Sequence, residues 1–331
     1  MSKHWKALRL VFRAESPIHI GWHDLGMIQR TRYYIPARAI WGAMVAGYAA
    51  RHKNGKGVPE IYQNAQKDLE SWFRSTCFFP KCGLDGNLMR PQFLNQKKSD
   101  GDRHGLYYGD LHPTEFEARW VFSQTSTAIE ASCLAAEDQA LHESEYLSPV
   151  ARSEESDVPR TIAQRHLHFE GYVFFTSNLT EDDISSALGA ISIGADRRYG
   201  WGRLKNVTQE ASSDIFGFLL DDFHGYGPGL KPNGKLFHLP GHLNVENTED
   251  CCLAGDLEVL SGRDWYVPCA QNLNDKQPRS GAGQQLTGAN LCWVPGTRGS
   301  GDSDWSFVIE PQGTWKVTSL PQDALLSKRS Q

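Results

Sequence analysis

The sequence predicts an α+β chain, and three observations carry that prediction. Apolar residues alternate over "ALRLVFRAESPIHIG" and again over "HLHFEGYVFFTS", the period of strands. They recur at helical spacing over "YYIPARAIWGAMVAGYAARHK" and "TEDDISSALGAISIG". Each strand precedes its helix, so the same strand and helix order occurs twice.

In the first unit Leu8, Leu10 and Phe12 alternate with Arg9, Val11 and Arg13, as on a strand with one buried face, and Pro17 and Gly21 end it. Ile40, Met44 and Tyr48 then fall four apart with Trp41 and Val45 beside them, Pro36 suits the first helical turn, and Asn54 and Gly55 suit the end. In the second unit Leu167, Phe169, Val173 and Phe175 mark the strand. Thr180 and Asp183 have capping-box spacing, with Asp in place of the usual Glu, and Ile184, Leu188 and Ile191 are expected on one helix face. A glycine loop follows, and "GRLKNVT" reads as the next strand. Strand, helix, glycine loop and strand form half of a split βαβ fold, so residues 1–208 are expected to be a ferredoxin-like domain. Residues 95–165 are polar and are expected to hold inserted hairpins. From 209 to 331 "GYGPGLKPNG", "PRSGAGQQLTG" and "PGTRGSGDSD" separate short strands such as "LCWVPG" and "WSFVIE", which predicts an irregular, loop-rich β module.

With 331 residues the chain can bury a substantial core. No apolar run has the length of a signal peptide or a membrane span, so a cytoplasmic protein with no membrane contact is expected. The seven cysteines are scattered. "CFFPKC" reads as a buried strand end better than as half of a zinc site, and neither metal nor cofactor is expected. The net charge of −5 is segregated: residues 1–57 hold ten Lys or Arg against Glu15 and Asp24, and residues 115–157 hold ten acids against Arg119 and Arg152. One face is then suited to an anion and another to protein partners, unless the two segments neutralise each other in the fold.

The stretch "GADRRYGWGRLK" concentrates chemistry. Gly194, Gly200 and Gly202 permit positive φ and close approach. Because the stretch follows a helix and lacks Gly-Lys-Ser or Gly-Lys-Thr, it is neither a Rossmann nor a P-loop. Arg197, Arg198, Arg203 and Lys205 can contact phosphates while Tyr199 and Trp201 offer faces for stacking, the combination that single-stranded RNA requires. The alternative is a tight turn whose aromatics pack on the core and whose arginines are solvated.

This loop, with "SPIHIG" and "YYIPARAIWGAMV" before it, resembles the glycine-rich loop, first turn and first helix of the RAMP superfamily, the repeat-associated subunits of CRISPR effector complexes. "TSTAIEASCLAAEDQALHESEYLSP" resembles that family's hairpin segment and "HFEGYVFF" the strand after it, so the resemblance runs in order over about residues 5 to 207. Ala37 stands where the family often has Gly, and Trp41 where Arg is common, which leaves Arg38 as the candidate anion contact. "GDLEVLSGRDW" and "CWVPGT" are reminiscent of larger type III subunits.

The resemblance implies an RRM-like RAMP core, with the C-terminal module either distinct or a degenerate second RAMP domain. It implies binding of CRISPR guide RNA within a type III effector, with other RAMP subunits and a large polymerase-like subunit as partners and target RNA met indirectly. Capping the guide's 5′ handle fits best. The alternative is a RAMP endoribonuclease or a guide-lining backbone subunit that cuts RNA. For that chemistry Asp24 and His19 are weak candidates, Asp24 because it is the only acid in the loop after the first strand, and His19 because it sits in the "SPIHIG" turn.

Overall fold

The structure, a computed structural model, describes residues 4–96, 102–130, 132–133, 135–152, 162–221, 226–246, 248, 252–266, 281–300 and 305–319. The start of "PRSGAGQQLTG" and the end of "PGTRGSGDSD" lie outside them. It is a mixed α+β chain. A central antiparallel sheet contains β1 (Lys6–Ala14), β4 (Phe73–Ser75), β5 (Phe79–Cys82), β10 (Leu167–Phe175), β11 (Ala190–Ser192) and β12 (Arg203–Ala211), in the order β11-β12-β1-β10-β4 with β5 also on β10. Leu8 pairs with Val173 and Phe12 with Phe169, while Arg13 pairs with Lys205 on the other side.

Two crossovers connect these strands. After β1 the chain makes the hairpin β2 (Gly21–Leu25) and β3 (Ile28–Thr31), then α1 (Ala37–His52) and α2 (Val58–Trp72). After β10 it makes α5 (Glu181–Leu188). Helix α1 buries Ile40, Trp41, Met44 and Val45 as its spacing predicts, but it ends earlier than Asn54, because Lys53 takes the left-handed φ of 44° and its N–H caps Ala49. Helix α2, which the sequence reading did not anticipate, buries only Ala65 and Leu69 fully. At α5 Thr180 and Asp183 form the capping box, with hydrogen bonds of 3.1 and 2.9 Å. Ile191 is not on that helix. It lies in β11, where the chain turns at Gly189 and pairs Ile191 with Leu204.

The middle segment supplies β6 (Pro91–Gln96), β7 (Arg103–Tyr108), α3 (Pro113–Trp120), β8 (Val121–Ser126), β9 (His142–Leu147) and the single turn α4 (Ile162–Arg165). Strands β8 and β9 join the first hairpin in a sheet of order β2-β3-β9-β8. That pairing brings Arg30 of the basic segment to Glu145 at 2.7 Å and Glu117 at 3.5 Å of the acidic one, so part of the charge segregation is neutralised internally.

Strand β10 is buried at all nine positions, not on one face as its alternation suggests. Its odd-numbered residues Leu167, Phe169, Val173 and Phe175 pack with Leu8, Leu10 and Phe12 under α1 and α5. Tyr172 and Phe174 join Trp5 and Ala7 on the other face, against Phe218, Leu230, Phe307 and Trp315 from the C-terminal part. That part is a sheet of β13 (Phe218–Asp221), β14 (Gly229–Pro232), β21 (Ser306–Ile309), β22 (Trp315–Ser319), β16 (Leu243–Asn244), β19 (Gly281–Trp293) and β18 (Leu257–Tyr266), in that order, flanked by β15 (Leu236–His238), β20 (Arg298–Ser300) and β17 (Leu253–Ala254).

Polar groups join the two layers. Arg74, 1 % exposed, donates to the carbonyls of Ile309 at 3.0 Å, Tyr226 at 2.6 Å, Glu70 and Phe73, and lies over the Trp5 ring. Burial lowers its pKa to about 10. Further along, Arg32 donates to Glu258 at 2.9 Å and Tyr34 donates to the same carboxylate at 3.2 Å. His242, 1 % exposed, lies 2.5 Å from Glu258 through Nε2 and 3.8 Å from the Cys77 thiol through Nδ1. All of these hydrogen bonds are satisfied when Nε2–H donates to Glu258 and Nδ1 accepts from Cys77. The set resembles a Cys-His-Glu nucleophile only on paper, because burial pushes the Cys77 thiol up to about 12 and leaves it protonated.

Two outcomes are expected. Arg74→Met leaves the carbonyls of Tyr226 and Ile309 without a donor and should cost about 3 kcal/mol in denaturant unfolding. Burial opposes the charge on Glu258, but His242 and Arg32 hold its pKa down to about 2. Its folded value lies below the ordinary one of 4.5, so its contribution is present above about pH 4.5 and is lost as pH falls through about 2. Stability measured against pH should therefore lose part of its acid limb in Glu258→Gln.

Candidate nucleic-acid interface

Two segments distant in sequence meet at one edge of the central sheet: the turn Ser16–Gly21 after β1 and the glycine loop Gly194–Arg203. Ala195 donates to the carbonyl of His19 at 2.9 Å and Gly202 to that of Pro17 at 2.7 Å. Ser16 Oγ accepts from the Arg203 amide at 2.9 Å, and Glu15 donates to the Arg203 carbonyl at 2.9 Å. The backbones touch so closely that side chains are excluded. A Cβ on Gly194 would lie 2.1 Å from the His19 carbonyl oxygen, and one on Gly202 would lie 1.8 Å from that of Ile193, both at φ near +76°. Gly200, at φ +88°, has only the Arg203 guanidinium within 4 Å, so conformation rather than space selects it.

Between the anchors, Arg197–Tyr199 form one 3-10 turn entered through Asp196 at φ 54°. The loop is therefore not locally extended, and Tyr199 and Trp201 differ in surroundings. Tyr199 is 83 % exposed, beside exposed Arg197 and Arg198. Trp201 is half-buried, 5.0 Å from the Tyr146 ring, which stacks on Phe122, which in turn carries the Arg152 guanidinium at 3.9 Å. Arg203 and Lys205 are exposed at the start of β12.

Arg38 is held elsewhere. It donates to Gln312, and its guanidinium occupies the space where a Cβ on Gly262 would sit, so the C-terminal layer engages it. His19 is 4 % exposed, with Nδ1 2.5 Å from the Glu145 carbonyl oxygen, an arrangement that fixes the turn. Asp24 lies on the exposed strand β2 opposite Gln29. Among the described residues no group of three His, Cys, Asp or Glu is placed to hold a metal, and no helix is long and apolar enough to cross a membrane.

Sequence reasoning missed what supports the turn from behind. Arg30 donates to Glu145 and to Tyr33, and Tyr33 donates to Glu117 at 2.7 Å. Burial and then Glu117 raise the Tyr33 pKa, so the phenol stays a donor. Nothing in local spacing announces this network, since its members come from β3 and the segment after it, α3 and β9.

The sequence matches no family model and no curated protein. Among solved structures the chain is similar to a chain of the type III-B Cmr-beta complex bound to cognate target RNA and AMPPnP, state 1, at 11 % identity over 88 % of this chain and 86 % of that one, with a TM-score of 0.44. It is similar at 10 % identity, with the same coverages and a TM-score of 0.47, to a chain of that complex bound to cognate target RNA. A chain of the apo state matches at 8 % identity over 63 % of this chain and 98 % of that one, with a TM-score of 0.34. These likenesses carry no residue assignment.

The backbone union makes a testable demand. Gly202→Ala should destabilise the protein by several times more than Gly200→Ala, whose cost is that of a left-handed alanine, about 1 to 2 kcal/mol. Chemical denaturation of the two variants measures the difference.

Proposed function

We propose that this chain is an RNA-binding structural subunit of a type III CRISPR effector ribonucleoprotein, holding the repeat-derived 5′ handle of the guide. One observation carries the reading. The two segments that resemble RAMP motifs are hydrogen-bonded into one unit, and that unit presents Arg197, Arg198 and Tyr199 to solvent on a rigid turn. Exposed guanidinium groups beside an exposed aromatic face suit a single strand, because phosphates and bases both find partners without sequence selection. In this reading residues 1–208 are a ferredoxin-like RAMP core with the insertion at about 95–165, and the antiparallel strand order with two helix-bearing crossovers supports it. Residues 209–331 form the covering module.

The task is binding, in the cytoplasm, alongside other RAMP subunits and the large polymerase-like subunit. His19 supports this over the nuclease reading, because it is buried and occupied by a backbone carbonyl. Arg38 contributes to the junction with the C-terminal layer.

Arg197→Ala combined with Arg198→Ala should weaken guide binding and reduce its salt slope by about one to two units, read from titrations at several salt concentrations. Tyr199→Ala should weaken binding about tenfold with unchanged melting, whereas Trp201→Ala should lower both, since Trp201 also packs on Tyr146. An unchanged slope and affinity in the double variant would remove the loop from the interface. Loss of target cutting by Asp24→Ala in a complex that still assembles would place catalysis in this chain instead.

A further inference from the structure

A second feature adjoins the same turn. Hairpin β2–β3, hairpin β6–β7 and strand β18 enclose a cavity of about 140 Å³, walled by Trp22, Phe93, Leu106 and Tyr108. Apolar cavities of about 150 Å³ admit one benzene ring, so this space is that of a single six-membered ring. Arg32 lines the cavity, its side chain is 13 % exposed, and its Nη atoms are engaged by the Gly21 carbonyl and Glu258. Asp256 and Glu258 line the same space, and their carboxylates offer acceptors to a ring N–H.

Flat aromatic walls, one-ring volume and nearby carboxylates describe a nucleobase better than an aliphatic side chain. The location agrees. Arg32 also donates its amide to the Ile20 carbonyl at 2.7 Å, and the neighbouring His19 carbonyl holds the glycine loop. His19 and Trp22 are three residues apart, so their Cα atoms lie within about 11 Å of each other. A strand whose phosphates rest on the loop can therefore turn a base into the cavity.

We propose that the cavity between Trp22, Phe93 and Tyr108 receives the base of one unpaired pyrimidine nucleotide of the bound RNA, with the carboxylates of Asp256 or Glu258 accepting from the base. The proposal rests on the RNA-binding reading above and extends it to a base-accepting pocket separate from the glycine loop. Trp22, 49 % exposed at the mouth, closes over the ring.

The full chain is titrated with a short oligouridylate and, in parallel, irradiated with the same RNA carrying 5-iodouridine, which couples to aromatic side chains in contact with the base. Adducts are mapped by mass spectrometry. Adducts on Trp22, Phe93 or Tyr108 are expected, and Leu106→Trp, which fills the space, should reduce them at least tenfold. Because that variant can perturb folding, Trp22→Ala at the exposed mouth is measured beside it and should weaken oligouridylate binding about tenfold. Adducts confined to Tyr199 and Trp201, with both variants binding as the unmodified chain does, would overturn the pocket and leave the RNA reading standing. Absence of adducts together with absence of oligouridylate binding would overturn both.

Discussion

Strand β10 is the constraint on which the rest depends, because all nine of its residues are removed from water. A strand in an antiparallel sheet with helices on one side normally leaves its other face wet. Here Tyr172 and Phe174, with Ala7 of β1 and Trp5 just before that strand, make that other face apolar over half its length, and burying it requires a second layer. The C-terminal sheet is that layer, and its aromatic residues Phe218, Phe307 and Trp315, with Phe237 of the flanking strand β15, form edge-to-face and tilted contacts that fill the gap. The remaining half of the face stays polar: Arg9 and Lys81 converge on Glu170, at 3.3 and 3.1 Å.

Covering a sheet with loop-rich chain brings backbone carbonyls and charged groups inward, and each must find a partner. Arg74 solves this for the carbonyls of Tyr226 and Ile309, at the cost of burying a guanidinium with no carboxylate acceptor among the described residues. Glu258 solves it for Arg32, Tyr34 and His242. Both arrangements link residues that precede position 80 to residues after position 220, so they fix the layers in one relative position instead of merely holding them together. Removing one member of such a set leaves the others buried and unpaired, which is why these junctions are more sensitive than their net stabilisation suggests.

At the sheet edge the glycines and the arginines have separate duties. Gly194 and Gly202 let two backbones approach to hydrogen-bonding distance, and that contact fixes the turn between them. Arg197, Arg198 and Tyr199 are thereby placed on one short turn, with their side chains in solvent. Trp201 serves the scaffold through Tyr146 while keeping part of its surface open.

Periodicity by itself determined β1, α1, β10 and α5, since each carries its apolar residues at the spacing its geometry imposes, and the Thr180 cap was legible for the same local reason. The cluster of arginines and glycines around Tyr199 was likewise visible as a composition. Helix α2 was not legible, because only Ala65 and Leu69 of its face are fully buried and the apolar stripe is thin. Alternation could not reveal that β10 is covered on both sides, because the residues that cover it lie in another part of the chain. Nor could it reveal that Arg38 faces Gln312, that His19 is consumed by the Glu145 carbonyl, or that Arg32 meets Glu258. A period reports which face of an element is apolar, whereas the partner of a polar side chain is set by the packing of distant segments. The tertiary structure alone decided those partners.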